Sequence, residues 1–290
     1  MPIFTPDASE SILGAVLERL NSTGAACHEE TIGDYASFIN IQNNMSSLGD
    51  TPFYDYKYGD SPRNITYHSP LSRMIDTDLY VLPTVAHYLL DIPQGHNRAN
   101  EFLSRTATLN NSNVNISYHD LLARNAAYIL GRAVPFAQKP QASNLLQLRP
   151  GQPVGNWRDS NQGLGYGQIP FDVNSALVPA ALRALQRLMQ SGILTLQNQS
   201  DAGAQAGRYA DVWEAHAAPL FDVKVNGATA ESRWKDYIVR SNLSDALLGG
   251  GNGGKQNDVT FYALSLQDDG TPVDVSGPFF LPVNVRASTH

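Results

Sequence analysis

Cysteine is almost absent from this chain, which has a single one, Cys27, among 290 residues. One cysteine excludes an intramolecular disulfide framework and a thiolate cluster for a metal. Long apolar runs are also lacking, because no stretch reaches the roughly 18 apolar residues that a membrane helix needs. The N-terminal residues show no basic segment followed by an apolar run. The sequence predicts no signal peptide and no membrane span, and stability must come from packing.

Positive charge is scarce and scattered. The chain has 20 Lys and Arg against 27 Asp and Glu, a formal net charge of -7, and no basic run. A nucleic-acid partner is therefore not expected, because such proteins neutralise phosphates with clustered cations. The 42% hydrophobic content is that of a globular protein and too high for a disordered one.

Several motifs of well-known chemistries are missing. The segment HEETI at 28–32 is not H-E-x-x-H, so its acids and His28 do not form a zinc motif. The glycine loop at 249–254 lacks the Lys-Ser/Thr ending of a phosphate-binding loop, and no G-x-S-x-G elbow occurs. We expect no metal, no cofactor and no serine nucleophile.

Apolar residues recur at helical spacing through most of the chain. The pattern predicts helices over the ranges 7–22, 28–40, 79–91, 97–106, 117–133, 172–190, 201–219 and 228–240. The segment VTFYALSLQ at 259–267 is the best strand candidate, because it is rich in β-branched and aromatic residues. The predicted fold class is mainly α, built from helical hairpins, with a minor C-terminal β element.

A polar and aromatic loop runs directly into the apolar helix in the block at 155–182. Trp157 offers a flat apolar face for the C–H groups of a sugar, and Arg158 offers a fork of donors. Asn156 and Asn174 carry paired donor and acceptor groups for hydroxyls. Asp159 is an acid that burial could keep protonated, or that Arg158 could keep ionised. The alternative is that Asp159 caps a turn and Trp157 lies in the core.

This block resembles the six-hairpin glycosidases of the glycogen-debranching and amylo-1,6-glucosidase type, in which a W-x-D loop precedes an N-A-L helix. The residues that carry the resemblance are Trp157, Asp159, Pro170, Val173, Asn174, Ala176 and Leu177. The resemblance implies an (α/α) helical-hairpin toroid and an inverting mechanism in which Asp159 is the general acid. It also implies that the general base is a glutamate of a later hairpin, beyond the end of this chain. Our own hypothesis places Trp157, Arg158, Asp172 and Asn174 around the substrate.

Two further blocks look like parts of the same kind of protein, HEETIGDYA at 28–36 and DTDLYVLP at 76–83. Glu29 and Glu30 are candidates for lining a sugar subsite. The alternative is that these acids complement the positive end of a helix dipole, which favours acidic first turns.

The predicted organisation is a helical-hairpin domain at 1–245, followed by a glycine-rich loop and a short β segment at 246–290. A full toroid needs twelve helices, and the pattern gives eight, so we expect an incomplete toroid. We interpret residues 58–73 as an insertion loop and the C-terminal part as truncated.

The sequence therefore favours a glycoside hydrolase acting on an α-glucan or oligosaccharide by general acid and base catalysis. The alternative is a non-catalytic carbohydrate-binding or structural remnant without its general base. A helical-repeat interaction protein ranks below both, because no fixed repeat period occurs. Seven N-x-S/T sequons leave open a secreted protein, and they begin at Asn21, Asn44, Asn64, Asn110, Asn115, Asn198 and Asn242.

Overall fold

The structure is a computed structural model that describes residues 5–26, 74–108, 113–149, 155–158, 162–244 and 258–273. Several predicted features lie outside the described residues. They are the helix at 28–40 with Glu29 and Glu30, the insertion at 58–73, the acid Asp159, the glycine loop at 249–254 and residues 274–290.

The described chain is mainly helical, as the periodicity predicts. Its α-helices are α1 (Pro6–Glu18), α2 (Thr77–Ala86), α3 (Pro93–Ser104), α4 (Tyr118–Gln138), α5 (Val178–Gln190), α6 (Ala202–His216) and α7 (Gly227–Arg240). Side chains cap three of the N-termini: Thr5 accepts from Ala8 N–H, Ser117 from Asp120 N–H and Asn226 from Thr229 N–H. Each cap satisfies one backbone donor that the first turn of its helix leaves without a partner.

Two segments of π-helix adjoin α-helices near prolines. One, His87–Asp91, continues α2 and ends two residues before Pro93. The other, Val173–Leu177, leads into α5 without leaving the helical conformation, so the helix predicted over 172–190 is continuous and contains one π-helical turn. Pro179 favours the wider turn, because proline has no N–H and so cannot donate to the carbonyl one turn earlier. The structure places Pro179 in the first turn of α5.

The core lies between α5 and its neighbours. Helix α5 packs against α2, α4 and α6, and α1 packs against α3 and α4. Val178, Ala181, Leu182, Leu185 and Leu188 of α5 are at most 1% exposed. At about 25 cal/mol per Å² of apolar surface, such burial outweighs the weak helix propensity of any one residue. Helix α5 is thus buried between other helices.

Two short antiparallel sheets complete the described fold. Strand β1 (Ile169–Pro170) pairs with β4 (Ser265–Leu266), and β2 (Asp222–Val225) pairs with β3 (Val259–Tyr262). The predicted strand segment at 259–267 thus forms both β3 and β4. Because β1 immediately precedes the second π-helical segment, its pairing with β4 fixes the backbone on which Asp172 and Asn174 lie.

The part of the chain that the structure describes contains no helix long and apolar enough to cross a membrane.

Candidate functional site

Three separate parts of the chain meet around Trp157. The segment before α2 runs alongside the 155–158 loop, and Ile75 N–H donates to the Gly155 carbonyl at 2.7 Å. One residue further on, the Asp76 carboxylate accepts from the Trp157 backbone N–H at 2.7 Å. Asp172, at the start of the second π-helical segment, accepts from the Trp157 indole N–H. Both N–H groups of Trp157 are therefore held by carboxylates from other segments.

The Trp157 ring remains largely at the surface although it is held in this way. Its side chain is 55% exposed. The Arg158 guanidinium lies over the ring, 4.4 Å from the ring centroid, in cation–π geometry. Its Nε also lies 4.0 Å from the Asp172 carboxylate. Arg158 and Asp172 thus fix the orientation of the exposed Trp157 ring.

Tyr80 of α2 belongs to the same surface. Its side chain is 48% exposed. Partial burial and then the negative charges of Asp76 and Asp172 raise the pKa of the Tyr80 hydroxyl. We call Trp157, Arg158, Asp172 and Tyr80 the Trp157 surface. It combines two exposed aromatic rings with a cation and an anion.

The two predicted asparagines lie beneath this surface. Asn156 is 1% exposed, its side-chain oxygen accepts from Arg158 N–H at 3.1 Å, and its Nδ2 has no hydrogen-bond partner. Asn174 is fully buried, and its side chain makes three 2.8 Å bonds, from Leu146 N–H and to the carbonyls of Leu146 and Pro170. Asn174 therefore holds backbone segments together, and its complete burial keeps it from contacting a ligand.

A buried acid lies next to Asp76. Asp78 is 1% exposed and accepts from Ala26 N–H at 2.6 Å and from Arg132 at 2.7 Å. Burial raises the pKa of the Asp78 carboxyl to about 6, although the positive charges of Arg132 and Arg149 oppose the shift. Arg132 also donates to the Ile75 carbonyl at 3.1 Å. This cluster anchors the segment that holds Trp157.

Sequence reasoning located Trp157, Arg158, Asp172 and the two asparagines, but it assigned no role to the residues opposite them. Asp76, Asp78 and Tyr80 belong to the DTDLYVLP block, which the resemblance had already singled out. Two aspartates spaced by one residue before an apolar helix were the available signal. The periodicity could not show that this block contacts the 155–158 loop.

The structure says nothing of Asp159, Glu29 or Glu30, which lie outside the described residues. Asp159 directly follows Arg158 in the chain. Within the described ranges, no three His, Cys, Asp or Glu side chains come together in a way that could hold a metal ion.

The protein is thus mainly helical, and two carboxylates hold an exposed tryptophan at its surface. No protein-family model, curated protein or solved structure matches the chain.

Proposed function

We propose that this protein binds a neutral carbohydrate at the Trp157 surface and hydrolyses a glycosidic bond in an α-glucan or oligosaccharide. The observation that carries the proposal is the Trp157 ring, which is 55% exposed and yet held by Asp76, Asp172 and Arg158. A tryptophan that served only packing would bury its face. Here two carboxylates hold the indole and the Arg158 guanidinium lies over one of its faces, so we place the sugar on the opposite face.

The exposed indole ring of Trp157 is well suited to stacking against a sugar ring. The axial C–H groups of a pyranose are apolar and stack on an indole face, while its hydroxyls need donors and acceptors at the edge. Arg158 and Asp172 supply both kinds of group beside the ring. Because the ring is already oriented, binding costs little additional side-chain entropy.

The proposed chemistry is an inverting hydrolysis. Asp159 donates its proton to the glycosidic oxygen, and the bond from that oxygen to the anomeric carbon breaks. A water molecule attacks the anomeric carbon from the opposite face and gives its proton to a second carboxylate, about 6.5 to 9.5 Å from the acid. The acid role of Asp159 rests on the W-x-D resemblance. We also propose that the helices are arranged as an (α/α) toroid, as the same resemblance implies.

A binding-only protein is the second candidate, and one observation favours it. Asp172 accepts from Val173 N–H with one oxygen and from the Trp157 indole with the other. Asp76 and Asp78 are at most 2% exposed. Asp76 and Asp78 are therefore too buried to activate water, and in this candidate all three carboxylates only shape a sugar-binding surface.

The binding step is tested by calorimetric titration with maltotriose and a panel of other neutral oligosaccharides. Trp157→Ala should weaken binding by roughly tenfold or more, because the stacking face is lost. Trp157→Phe should fall in between, since it keeps an aromatic face but loses the bond to Asp172. Trp234→Ala is the matched control, because Trp234 is also exposed, at 40%, and belongs to α7.

Equal affinities for the wild type and Trp157→Ala would contradict the proposal, provided that circular dichroism shows both proteins folded. If only Trp234→Ala lost affinity, the sugar site would lie on α7 instead.

A further inference from the structure

A cavity of about 770 Å³ lies at the other end of α5, where the chain turns into α6. Its volume is within the range of about 300–1,000 Å³ that is usual for small-molecule sites. Asp172 precedes α5, whereas Met189 and Gln190 end it. The thirteen residues of α5 rise by about 20 Å, so this cavity is separate from the Trp157 surface.

The cavity lining contains no charged side chain. Half of its ten residues carry an amide or a hydroxyl, namely Gln190, Thr195, Asn198, Gln199 and Ser200. Met189, Leu194 and Leu196 supply the apolar part, and Gly203 and Ala204 of α6 complete it. Because this lining is uncharged, it offers no partner to an ion of either sign.

Hydroxyl and amide groups beside aliphatic side chains match one ligand chemistry well. An uncharged sugar offers hydroxyls that both donate and accept, together with C–H faces that pack on aliphatic groups. A phosphate or a carboxylate would find no cationic side chain in this lining.

Asn198, one of the lining residues, is also a potential N-glycosylation site. Asn198 begins the sequon Asn198-Gln199-Ser200, and all three residues line the cavity. Asn198 is exposed and has φ +59°, in a turn between α5 and α6. A glycan attached to Asn198 would therefore have its first sugar at the cavity.

We propose that this cavity is a second carbohydrate site that takes one or two uncharged sugar units. The sugar is either part of a free oligosaccharide or the first unit of an N-glycan on Asn198. The proposal does not depend on the Trp157 surface.

The first arm of the test uses protein made in bacteria, which carries no N-glycan, with Trp157→Ala as the background. Saturation-transfer NMR measures binding of N,N′-diacetylchitobiose and maltotriose, with galacturonate as the anionic comparison. We expect saturable binding of a neutral sugar, and Ala204→Phe should weaken it by about tenfold or more, because the ring fills the cavity. Ala228→Phe is the matched control, since Ala228 is also exposed on a helix.

Ala204 is exposed, so phenylalanine should not disturb the core there. Should Ala204→Phe fail to fold, Ala204→Leu takes its place.

The second arm uses protein made in a eukaryotic secretory pathway. Mass spectrometry reports the occupancy of Asn198, and hydrogen exchange reports the Gly203 and Ala204 amides in the cavity. A glycan seated in the cavity should slow the exchange of these amides by about tenfold or more relative to the bacterial protein.

If a neutral sugar binds in the first arm and Ala204→Phe abolishes this binding, the cavity is a site for free sugars. Slowed exchange in the second arm alone assigns it to the Asn198 glycan. Neither effect, or equal binding of galacturonate, would overturn the proposal. Since Trp157 is absent from the first arm, failure here leaves the function of the Trp157 surface untouched.

Discussion

At the scale of single residues, buried polar groups carry most of the specific structure around Trp157. Asn174 satisfies both backbone groups of Leu146 and the carbonyl of Pro170 with one side chain. Asp78 joins Ala26 and Arg132 from two other segments. Each of these residues, if replaced, leaves partners without a hydrogen bond in a region that water does not reach.

Asn174→Ala should lower the free energy of unfolding by about 2–4 kcal/mol, because Leu146 N–H and two carbonyls lose their partner. Ser175→Ala should cost about 1 kcal/mol or less, since Ser175 makes one bond, to the Phe171 carbonyl. Urea unfolding followed by circular dichroism measures both variants. Equal losses would show that Asn174 does not organise this region.

Asp78 should make stability depend on pH. Its folded-state pKa of about 6 lies above its ordinary value of 3.8, so the folded protein binds this proton more tightly than the unfolded chain. The contribution is fully present below about pH 3.8 and is lost as pH rises through 6. Between about pH 4.5 and about pH 7 the loss should be about 2 kcal/mol.

Asp78→Asn should remove this part of the pH dependence. Urea unfolding of both proteins at the two pH values gives the comparison. Asp201→Asn is the control, because the Asp201 side chain is 76% exposed. If the change in unfolding free energy with pH were the same in Asp78→Asn as in the wild type, Asp78 would not be the group that titrates.

At the scale of elements, α1 is attached to the rest of the fold through two buried glutamates. Glu10 is 2% exposed and contacts Arg98 of α3, Arg105 just after α3, and the Tyr88 hydroxyl. Glu18, at 6% exposed, accepts from the Tyr118 hydroxyl at 2.6 Å and from Thr108 N–H at 2.9 Å. Together with burial, these bonds raise the pKa of Tyr88 and of Tyr118 to about 12.

Glu10→Gln should lower the free energy of unfolding by about 1–3 kcal/mol, because it loses charge-assisted bonds from a buried carboxylate. The arginine side chains are 34% and 37% exposed, so water screens part of the effect. Glu101→Gln is the matched control, since Glu101 also bonds to Arg105 but is 66% exposed, and about 1 kcal/mol or less should be lost. Thermal unfolding of the two variants tests the difference, and a larger loss in Glu101→Gln would contradict it.

Helix α4 contains a glycine that packing does not require. A Cβ at Gly131 would meet nothing within 4 Å. Gly131→Ala should therefore stabilise the protein by about 0.5–1 kcal/mol, since alanine loses less backbone entropy in a helix. Gly14→Ala in α1 is the contrast, because its Cβ would lie 2.8 Å from the Tyr118 hydroxyl oxygen. A stability gain in Gly14→Ala as large as that in Gly131→Ala would show that α1 does not pack on α4 as described.

The helices could be predicted from the sequence because their signal is local. Apolar spacing located seven of the eight expected helices within a few residues, and the eighth, at 28–40, lies outside the described residues. The helix over 172–190 was predicted, but its π-helical turn at Val173–Leu177 was not, since a π-helical segment has nearly the same apolar pattern as an α-helix. The contact between Asp76 and Trp157 spans 81 positions, and no local pattern encodes a contact at such a separation.

At the scale of the whole molecule, a mainly helical core supports the surface on which the proposed chemistry depends. The pairing of β1 with β4 and the bonds of Asn174 hold the chain on the C-terminal side of the 155–158 loop. The segment before α2 holds the loop itself through Asp76. The loop is thus held from two sides, and Asp159 follows it directly in the sequence.

The proposed hydrolysis is tested by measuring the reducing sugar that the wild type and Asp159→Asn release from a panel of α-linked glucans and oligosaccharides. We expect measurable hydrolysis by the wild type and a loss of about a hundredfold or more in Asp159→Asn, because general acid catalysis contributes at least that factor. Undiminished hydrolysis in folded Asp159→Asn would contradict the role of Asp159. No hydrolysis by the folded wild type would contradict the enzyme and leave the binding-only protein.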